Sequence, residues 1–340
     1  MEFLPTLWFI LIAVLWIGYL FLEGFDLGVG MLFKSFAKNE RDRRVMLNTI
    51  GPVWDGNEVW LLTAGGATFA AFPNWYAALF SGLYLPLTLA LLALILRGVS
   101  IEYRGKTNSA RGRAFWDWCM AGGSFLAAFC VGAMLALTST GLPLDAHGNR
   151  VGHAFVWLNG YAVLGGLAVV LFSYVHGLTF VALKTDGDIR QRAEARLARM
   201  LPWALIPVAA WAVVVVVGTG TTWAWAPLVL AVVGALAATF FAFKRREGWT
   251  FISLGATLVT GVAAIFGSLF PNVLPSTVDP AFNLTIYNAS STENTLLIMS
   301  IVAAIGVPIT LAYQSYTYWV FRKRISAHHI PPQHFVTSVV

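Results

Sequence analysis

Long apolar segments separated by short polar connections constrain this sequence more than any other feature. An α-helix needs about 20 consecutive, mostly apolar residues to cross the hydrocarbon core of a bilayer. Hydrophobic residues make up 58% of the chain and charged residues 11%, against roughly 25% charged residues in soluble domains. We therefore expect an all-α polytopic membrane protein with about nine transmembrane helices. The predicted spans are residues 7–33, 51–72, 75–97, 114–140, 154–183, 201–218, 223–243, 250–270 and 294–321.

Basic residues alternate between the connections. Of the 22 Lys and Arg residues, all but Arg150 lie in the first, third, fifth or seventh connection or in the C-terminal tail. By the positive-inside rule, these connections and the C-terminus face the cytoplasm, and the N-terminus lies outside. The net charge of +6 is thus a signal of topology and does not indicate a nucleic-acid partner. The first segment has no charged n-region and is too long for a cleaved signal peptide, so we expect it to be retained.

A weak internal repeat suggests how the helices are grouped. With an offset of 150 residues, Lys34 falls on Lys184, Pro52 on Pro202 and Asp26 on His176. Duplicated halves are common in membrane proteins, so we predict two four-helix bundles plus one extra helix. The predicted units are a first bundle with the buried carboxylates (1–140), a second bundle (141–271), an outer loop (272–293), the ninth helix (294–322) and a cytoplasmic tail (323–340). The tail carries His328, His329 and His334, which we interpret as part of a disordered segment rather than a metal site.

Carboxylates inside the first two apolar segments are the strongest functional signal. Glu23 and Asp26 are three residues apart and therefore share one side of a helix, and Asp55 and Glu58 repeat this spacing. Each charge at a helix centre in a membrane costs about 2.5–3.5 kcal/mol. Because no Lys or Arg lies within these two segments, we expect the acids to lack a basic partner in this chain, and we expect some of them to be protonated and to relay protons.

Two further acids, Glu102 and Asp55, have alternative interpretations. Glu102, near the cytoplasmic mouth of the third span, would begin an acid ladder leading inward through Asp55 to Asp26 and Glu23. Asp55 follows Pro52 and could instead occupy the first turn of a helix, where the helix dipole favours a carboxylate.

Four further residues are supporting or interface candidates. Asp117, like Glu102, could simply be solvated at the membrane interface. His176 is interpreted as a polar packing residue. Trp54 and Trp60 are candidates for contact with a partner, or for packing.

The sequence predicts no haem ligands and no metal site in this chain. His176 is the one histidine in a predicted span, and there is no CxxCH motif, Walker motif or Cys/His cluster. Cys119 and Cys130 lie 11 residues apart in an apolar segment and are interpreted as small buried hydrophobic residues. Redox cofactors, if the protein uses them, are therefore expected on a partner.

Several motifs resemble one known family. They are GFDLGVGML (Gly24 to Leu32), Arg43-Arg44, PVWDGNEVWLLTAGGATFAAFPNWYAALFSGLY from Pro52 to Tyr84, Glu102-Tyr-Arg and Trp116-Asp-Trp. These residues closely resemble subunit II of the cytochrome bd quinol oxidases of bacterial respiratory chains. The match is dense over about residues 18–126 and looser afterwards.

The resemblance implies a heterodimer with subunit I in the bacterial cytoplasmic membrane. Subunit I would carry the quinol site, two haems b and one haem d, and the complex would oxidise quinol and reduce dioxygen to water with cytoplasmic protons. Turnover of the complex would generate a membrane potential without pumping protons. Subunit II would support subunit I, line a proton path with its buried acids and, as in some members, hold a structural quinone. Small single-span accessory subunits are possible further partners.

The resemblance carries over onto individual residues. It places Asp26 and Asp55 at the acids of GFDLG and VWDGN, and Glu102 at an acid before Tyr-Arg. Positions 23 and 102 hold Glu where other members often have Asp, and position 58 holds Glu where Gln is also found.

Two other functions fit the residues alone. A proton-coupled transporter acting without a redox partner would also need intramembrane acids, although it would be expected to show interrupted spans in both halves. A structural subunit would use the acids only to anchor a partner through hydrogen bonds.

Overall fold

The computed structural model describes residues 3–326 and is built almost entirely of α-helices. The helices are α1 (Phe3–Ser35), α2 (Glu40–Ile50), α3 (Trp54–Ala71), α4 (Pro73–Gly82), α5 (Tyr84–Tyr103), α6 (Ala110–Thr140), α7 (Gly160–Lys184), α8 (Gly187–Ala204), α9 (Ile206–Thr219), α10 (Trp225–Phe243), α11 (Glu247–Leu269) and α12 (Glu293–Val320). Two short antiparallel strands, β1 (Asn272–Leu274) and β2 (Leu284–Thr285), lie in the connection between α11 and α12. The expectation of an all-α polytopic membrane protein is confirmed.

Within residues 3–326, eight helical segments are long and apolar enough to cross a membrane, with α8 and α9 counted as one. The remaining predicted span, residues 51–72, corresponds to α3, which has 18 residues and carries Asp55 and Glu58. α3 nevertheless extends from one side of the molecule to the other. Near its start the indole of Trp54 packs on Gly98 of α5, and at its end the carbonyl of Ala71 accepts a hydrogen bond from the Ser291 N–H.

The third predicted span, 75–97, has the wrong boundaries. Residues 73–82 form the separate helix α4, and α5 begins at Tyr84 and continues to Tyr103. Pro86 has no N–H to donate to the carbonyl of Gly82, so the helix is interrupted at Leu83. As a result Arg97, which the sequence places in a basic connection, lies inside α5 and is fully buried.

Helices α1 and α7 form the closest contact in the core. A Cβ atom on Gly28 would overlap the backbone oxygen of Ser173, and one on Gly177 would lie 2.5 Å from the carbonyl carbon of Gly28. Glycine is therefore required on both helices at this crossing, as small residues are at many membrane helix interfaces. α1 also packs against α3 and α6, which places its acids at the centre of several helices.

The ends of α1, α5, α7 and α12 meet at one surface, which we call the basic face. Here Arg192 of α8 binds Asp42 of α2 at 2.7 Å. After α12 the chain turns back along this face, where the Ile325 N–H donates to the carbonyl of Lys184 and Arg324 binds Glu247 at 2.5 Å. The three tail histidines, 328, 329 and 334, lie outside the described residues.

Helix α12 is attached to the rest of the protein mainly at its ends. Leu296 is its one buried residue. Near its N-terminal end the Trp8 Nε1–H of α1 lies 3.3 Å from the carbonyl of Leu296 and 3.0 Å from Ser300 Oγ. Most of the remaining apolar surface of α12 is exposed.

Candidate functional site

A buried ion pair joins α1 and α5 at the centre of the molecule. Glu23 Oε1 lies 2.7 Å from Arg97 Nη1, and neither side chain has any exposed area. Glu58 of α3 approaches the same nitrogen at 3.3 Å, with 25% of its side chain exposed. The expectation that these acids lack a basic partner in this chain is therefore wrong. Sequence analysis missed Arg97 because an arginine at the end of an apolar run resembles an interfacial residue.

Asp26, one helical turn from Glu23, is held by an amide rather than by a cation. The Asn57 Nδ2 group donates a hydrogen bond of 2.6 Å to Asp26 Oδ2, and both residues are fully buried. Asp26 Oδ1 has no hydrogen-bond partner among residues 3–326. The motif residues of α1 and α3 are thus brought together as the sequence predicts, but through Asn57 rather than through Asp55.

Asn57 also connects the acids to α12. Its Oδ1 atom accepts hydrogen bonds from Tyr318 OH at 2.8 Å and from Gln314 Nε2 at 3.1 Å. Trp60 Nε1 donates to Gln314 Oε1 at 3.0 Å. Gln314 and Tyr318 could not be identified from the sequence, because each is a single neutral polar residue more than 250 positions from Asn57.

A groove of about 610 Å³ separates α3 from α12 and leads towards this network. Its lining includes Asp55, Asn57, Trp60, Gln314 and Tyr318. Asp55 is exposed and lies in the first turn of α3 without capping a backbone N–H with its side chain. The position of Asp55 is compatible with stabilisation of the carboxylate by the helix dipole and also with a place in a proton path.

Two predicted acids lie away from the cluster. Glu102 is exposed near the basic end of α5, and within the described part of the chain no hydrogen bond or ion pair connects it to the buried acids. Asp117 is buried in an ion pair with Arg104, 2.5 Å away, and a second with Arg43 at 3.4 Å, so its interpretation as a solvated residue is wrong. Arg104 also binds Glu40 of α2; although partial burial opposes ionisation, the guanidinium holds the pKa of Glu40 below its usual value.

With this geometry in place, the chain can be compared with known proteins. The family model described as cytochrome bd terminal oxidase subunit II matches residues 4–321. The chain belongs to this family. Subunit II of Bacillus subtilis (strain 168), named cytochrome bd ubiquinol oxidase subunit 2, is 43% identical over 331 residues, covering 96% of this chain and 98% of the relative. The cytochrome bd-I ubiquinol oxidase subunit 2 of Escherichia coli (strain K12) is 33% identical over 367 residues, with 97% of each chain covered.

The fold has a counterpart among solved structures. A chain of the bd oxidase from Geobacillus thermodenitrificans superposes with a TM-score of 0.77 at 19% identity, covering 95% of this subunit II and 100% of that chain. The family resemblance found in the sequence is confirmed. The chain is therefore a bacterial multi-pass membrane subunit of a bd-type terminal oxidase.

Haems belong to bd-type oxidases, so His176 of this subunit II must be tested as an axial ligand. It is fully buried, and its Nε2 atom lies 3.0 Å from the carbonyl oxygen of Phe21. Its ring is stacked on Phe251 with centroids 4.8 Å apart and is also in contact with Phe25 and Phe172. Between these rings there is no room for a macrocycle, so the site does not fit haem ligation. No group of three metal-ligating side chains occurs within residues 3–326.

A second cavity of this subunit II, of about 60 Å³, is apolar and lies between α1, α6, α7, α9 and α11. Its lining includes Trp16, Phe172 and Val262. Ser139 and Trp211 provide a polar spot, where the Trp211 Nε1–H donates to Ser139 Oγ at 2.9 Å.

Proposed function

We propose that this subunit serves a quinol:dioxygen oxidoreductase of aerobic respiration by holding the haem-bearing subunit I and supplying it with protons. The observation that carries the proposal is the buried cluster of Glu23, Asp26, Glu58 and Arg97. Ionisable groups inside membrane spans are costly and typically mark proton or ion pathways, and a buried ion pair adds little to the stability of a fold.

Charge balance in this cluster supports proton storage. The cluster contains three carboxyl groups and one guanidinium, so it holds two protons when it is electrically neutral. Arg97 stabilises one carboxylate, and the remaining carboxyl groups can take up and release protons. Several side-chain atoms here, including Tyr19 OH and Arg97 Nη2, are buried without a hydrogen-bond partner among the described residues. Internal water binds at such atoms and would connect the acids into a path.

The groove between α3 and α12 provides the entrance to this path. Asp55 lies in the groove and one helical turn from Glu58, and Glu58 contacts Arg97. Protons from the basic face, which we assign to the cytoplasm, would pass from Asp55 to Glu58 and then to Glu23 and Asp26. Glu102 is exposed at the same face and acts at most as a collector of protons.

Subunit I would cover the outer sides of α3 and α12. Exposed carboxylate and amide groups are costly against lipid, and the groove carries both in Asp55 and Gln314. The wide exposure of α12 within this chain also favours burial against a second membrane protein.

The proposal also assigns the cofactors. Because the surroundings of His176 do not fit haem ligation, we place haems b and d in subunit I. The cavity at Trp16, Ser139 and Trp211, of about 60 Å³, does not support a structural quinone there, because ligand pockets usually hold about 300–1,000 Å³. The hydroxyl of Ser139 also donates to the carbonyl of Ala136 and is therefore not free for a quinone carbonyl.

Replacing Asp26 with Asn tests the relay in the complete oxidase. We expect D26N to assemble with wild-type haem bands in a reduced-minus-oxidised spectrum, while quinol-oxidase turnover per haem falls by about 100-fold, the lower end of the range for loss of a positioned proton-transfer group. Asp186→Asn is a matched control, because Asp186 is exposed and lies outside the cluster and the groove, and it should keep turnover close to wild type. Wild-type turnover of assembled D26N would contradict the relay, and loss of the haem bands would indicate an anchoring role instead.

A further inference from the structure

Three consecutive hydrogen bonds connect Trp60 to Asp26. Trp60 Nε1 donates to Gln314 Oε1 at 3.0 Å, Gln314 Nε2 donates to Asn57 Oδ1 at 3.1 Å, and Asn57 Nδ2 donates to Asp26 Oδ2 at 2.6 Å. The series passes from α3 to α12, back to α3 and then to α1.

The direction of the series is set at its first member. An indole N–H can only donate, whereas the amides of Gln and Asn can each be turned to present either oxygen or nitrogen. Because Trp60 requires an acceptor, Gln314 turns its oxygen to Trp60 and its NH₂ group to Asn57. Asn57 must then accept with Oδ1, where Tyr318 OH also donates, and its NH₂ group is left facing Asp26.

This order distinguishes the two oxygens of Asp26. Oδ2 faces a donor in every protonation state, so a proton placed on Oδ2 would be opposed by the N–H group of Asn57. The other oxygen, Oδ1, has no partner within residues 3–326 and is equally buried. Only Oδ1 is free to carry a proton.

We propose that Trp60 and Gln314 are positioning residues that, through Asn57, confine the exchangeable proton of Asp26 to Oδ1. The inference rests on the proposed function, in which Asp26 relays protons. In this arrangement a proton is taken up and released at the same oxygen, Oδ1, whose position is fixed before each transfer.

Other titratable groups near Asp26 must be taken into account in any test. They are Glu23 on α1, Glu58 on α3, Arg97 on α5 and Tyr318 on α12. On α7, His176 is bonded to the carbonyl of Phe21 instead. None of these groups contacts Trp60 through a hydrogen bond in the described structure, so a change at Trp60 reaches Asp26 through the amides.

The test is the pH profile of turnover per haem in the assembled oxidase. Trp60→Phe removes the first donor, Gln314→Leu breaks the series in the middle, and Asn57→Leu removes the donor to Asp26. We expect the profile of N57L to move by about one pH unit, the size expected for a hydrogen bond to a charged group. W60F and Q314L should move it in the same direction by less. The double variant W60F/Q314L should move it no further than Q314L alone, because both changes break one series.

Trp54→Phe is the matched control, since Trp54 lies on the same helix and its indole takes no part in the series. W54F should keep the wild-type profile. If assembled W60F and Q314L both keep the wild-type profile while D26N loses turnover, the positioning role is overturned and the proton relay stands. If D26N keeps wild-type turnover and profile, the relay itself has failed. If W60F and W54F move the profile equally, general packing of α3 explains the effect and the inference is wrong.

Discussion

Two buried polar centres lie on either side of the contact between α1 and α7, and they differ in almost every respect. On one side are Glu23 and Asp26 with their partners Arg97 and Asn57. On the other is His176, at the position that the internal offset of 150 residues pairs with Asp26. All of these side chains are fully buried.

The two centres differ in the side chains that surround them and in their connection to the surface. His176 is enclosed by phenylalanine rings and makes one hydrogen bond to a backbone oxygen. The acids instead outnumber the nearby base and are linked by Asn57 to a groove that reaches the surface. Under the proposed function, burial by itself would not mark a site for proton transfer. An excess of carboxyl groups and a polar route outward would also be required.

The largest expected effect comes from removing Arg97, the basic partner of Glu23. Arg97→Met leaves Glu23 without its ion-pair partner, and breaking a buried pair costs about 3–5 kcal/mol. We expect strongly reduced amounts of assembled oxidase, measured as haem per membrane protein. The double variant R97M/E23M should recover much of the loss, because an apolar pair of similar volume often replaces a buried ion pair. Wild-type assembly of R97M would show that Glu23 does not need a cation.

A smaller effect is expected at the contact that separates the two centres. Gly28→Ala would push a Cβ atom into the backbone of Ser173, and overpacking of this kind costs about 1–3 kcal/mol. The melting temperature of the purified oxidase should fall. Gly122→Ala on α6 is the control, since no atom lies within 4 Å of its Cβ position. Equal melting temperatures for the two variants would mean that α1 and α7 can separate without cost.

The smallest effect is expected at the enclosed histidine. His176→Phe exchanges one ring for another among phenylalanines, so the free energy of unfolding should change by less than about 1.5 kcal/mol. Turnover and the haem spectrum should match the wild type. Loss of a haem band in this variant would contradict the packing role and identify His176 as a ligand.

Sequence analysis identified the fold class, the family and the acids, because apolar length and buried carboxylates are local signals. It missed the environment of those acids. A count of apolar residues places Arg97 in a connection. Pro86 and the break at Leu83 shift α5 towards the basic face and so bring Arg97 inside the helix, and the count does not reveal this shift. Asp117 could not be recognised as an ion-pair residue because its partners, Arg104 and Arg43, belong to separate connections.

The amide network was beyond sequence reasoning for a different reason. Asn57, Gln314 and Tyr318 are neutral residues whose roles depend on contacts across more than 250 positions. Such residues have no periodicity or charge to distinguish them. Their function becomes visible only when α3 and α12 are placed side by side.

The late position of α12 in the chain has a consequence for biosynthesis. Gln314 follows Asn57 by 257 residues, which at ribosomal speeds of about 5–20 residues per second corresponds to a delay of about 10–50 s. During that time the acids of α1 and α3 would already be in the membrane. The Asn57 amide would have no hydrogen bond from Gln314, and the groove would lack the wall that α12 forms. Arrival of α12 both orients the amide and builds the surface that subunit I would recognise. Under the proposed function, assembly with subunit I would wait until α12 has been synthesised.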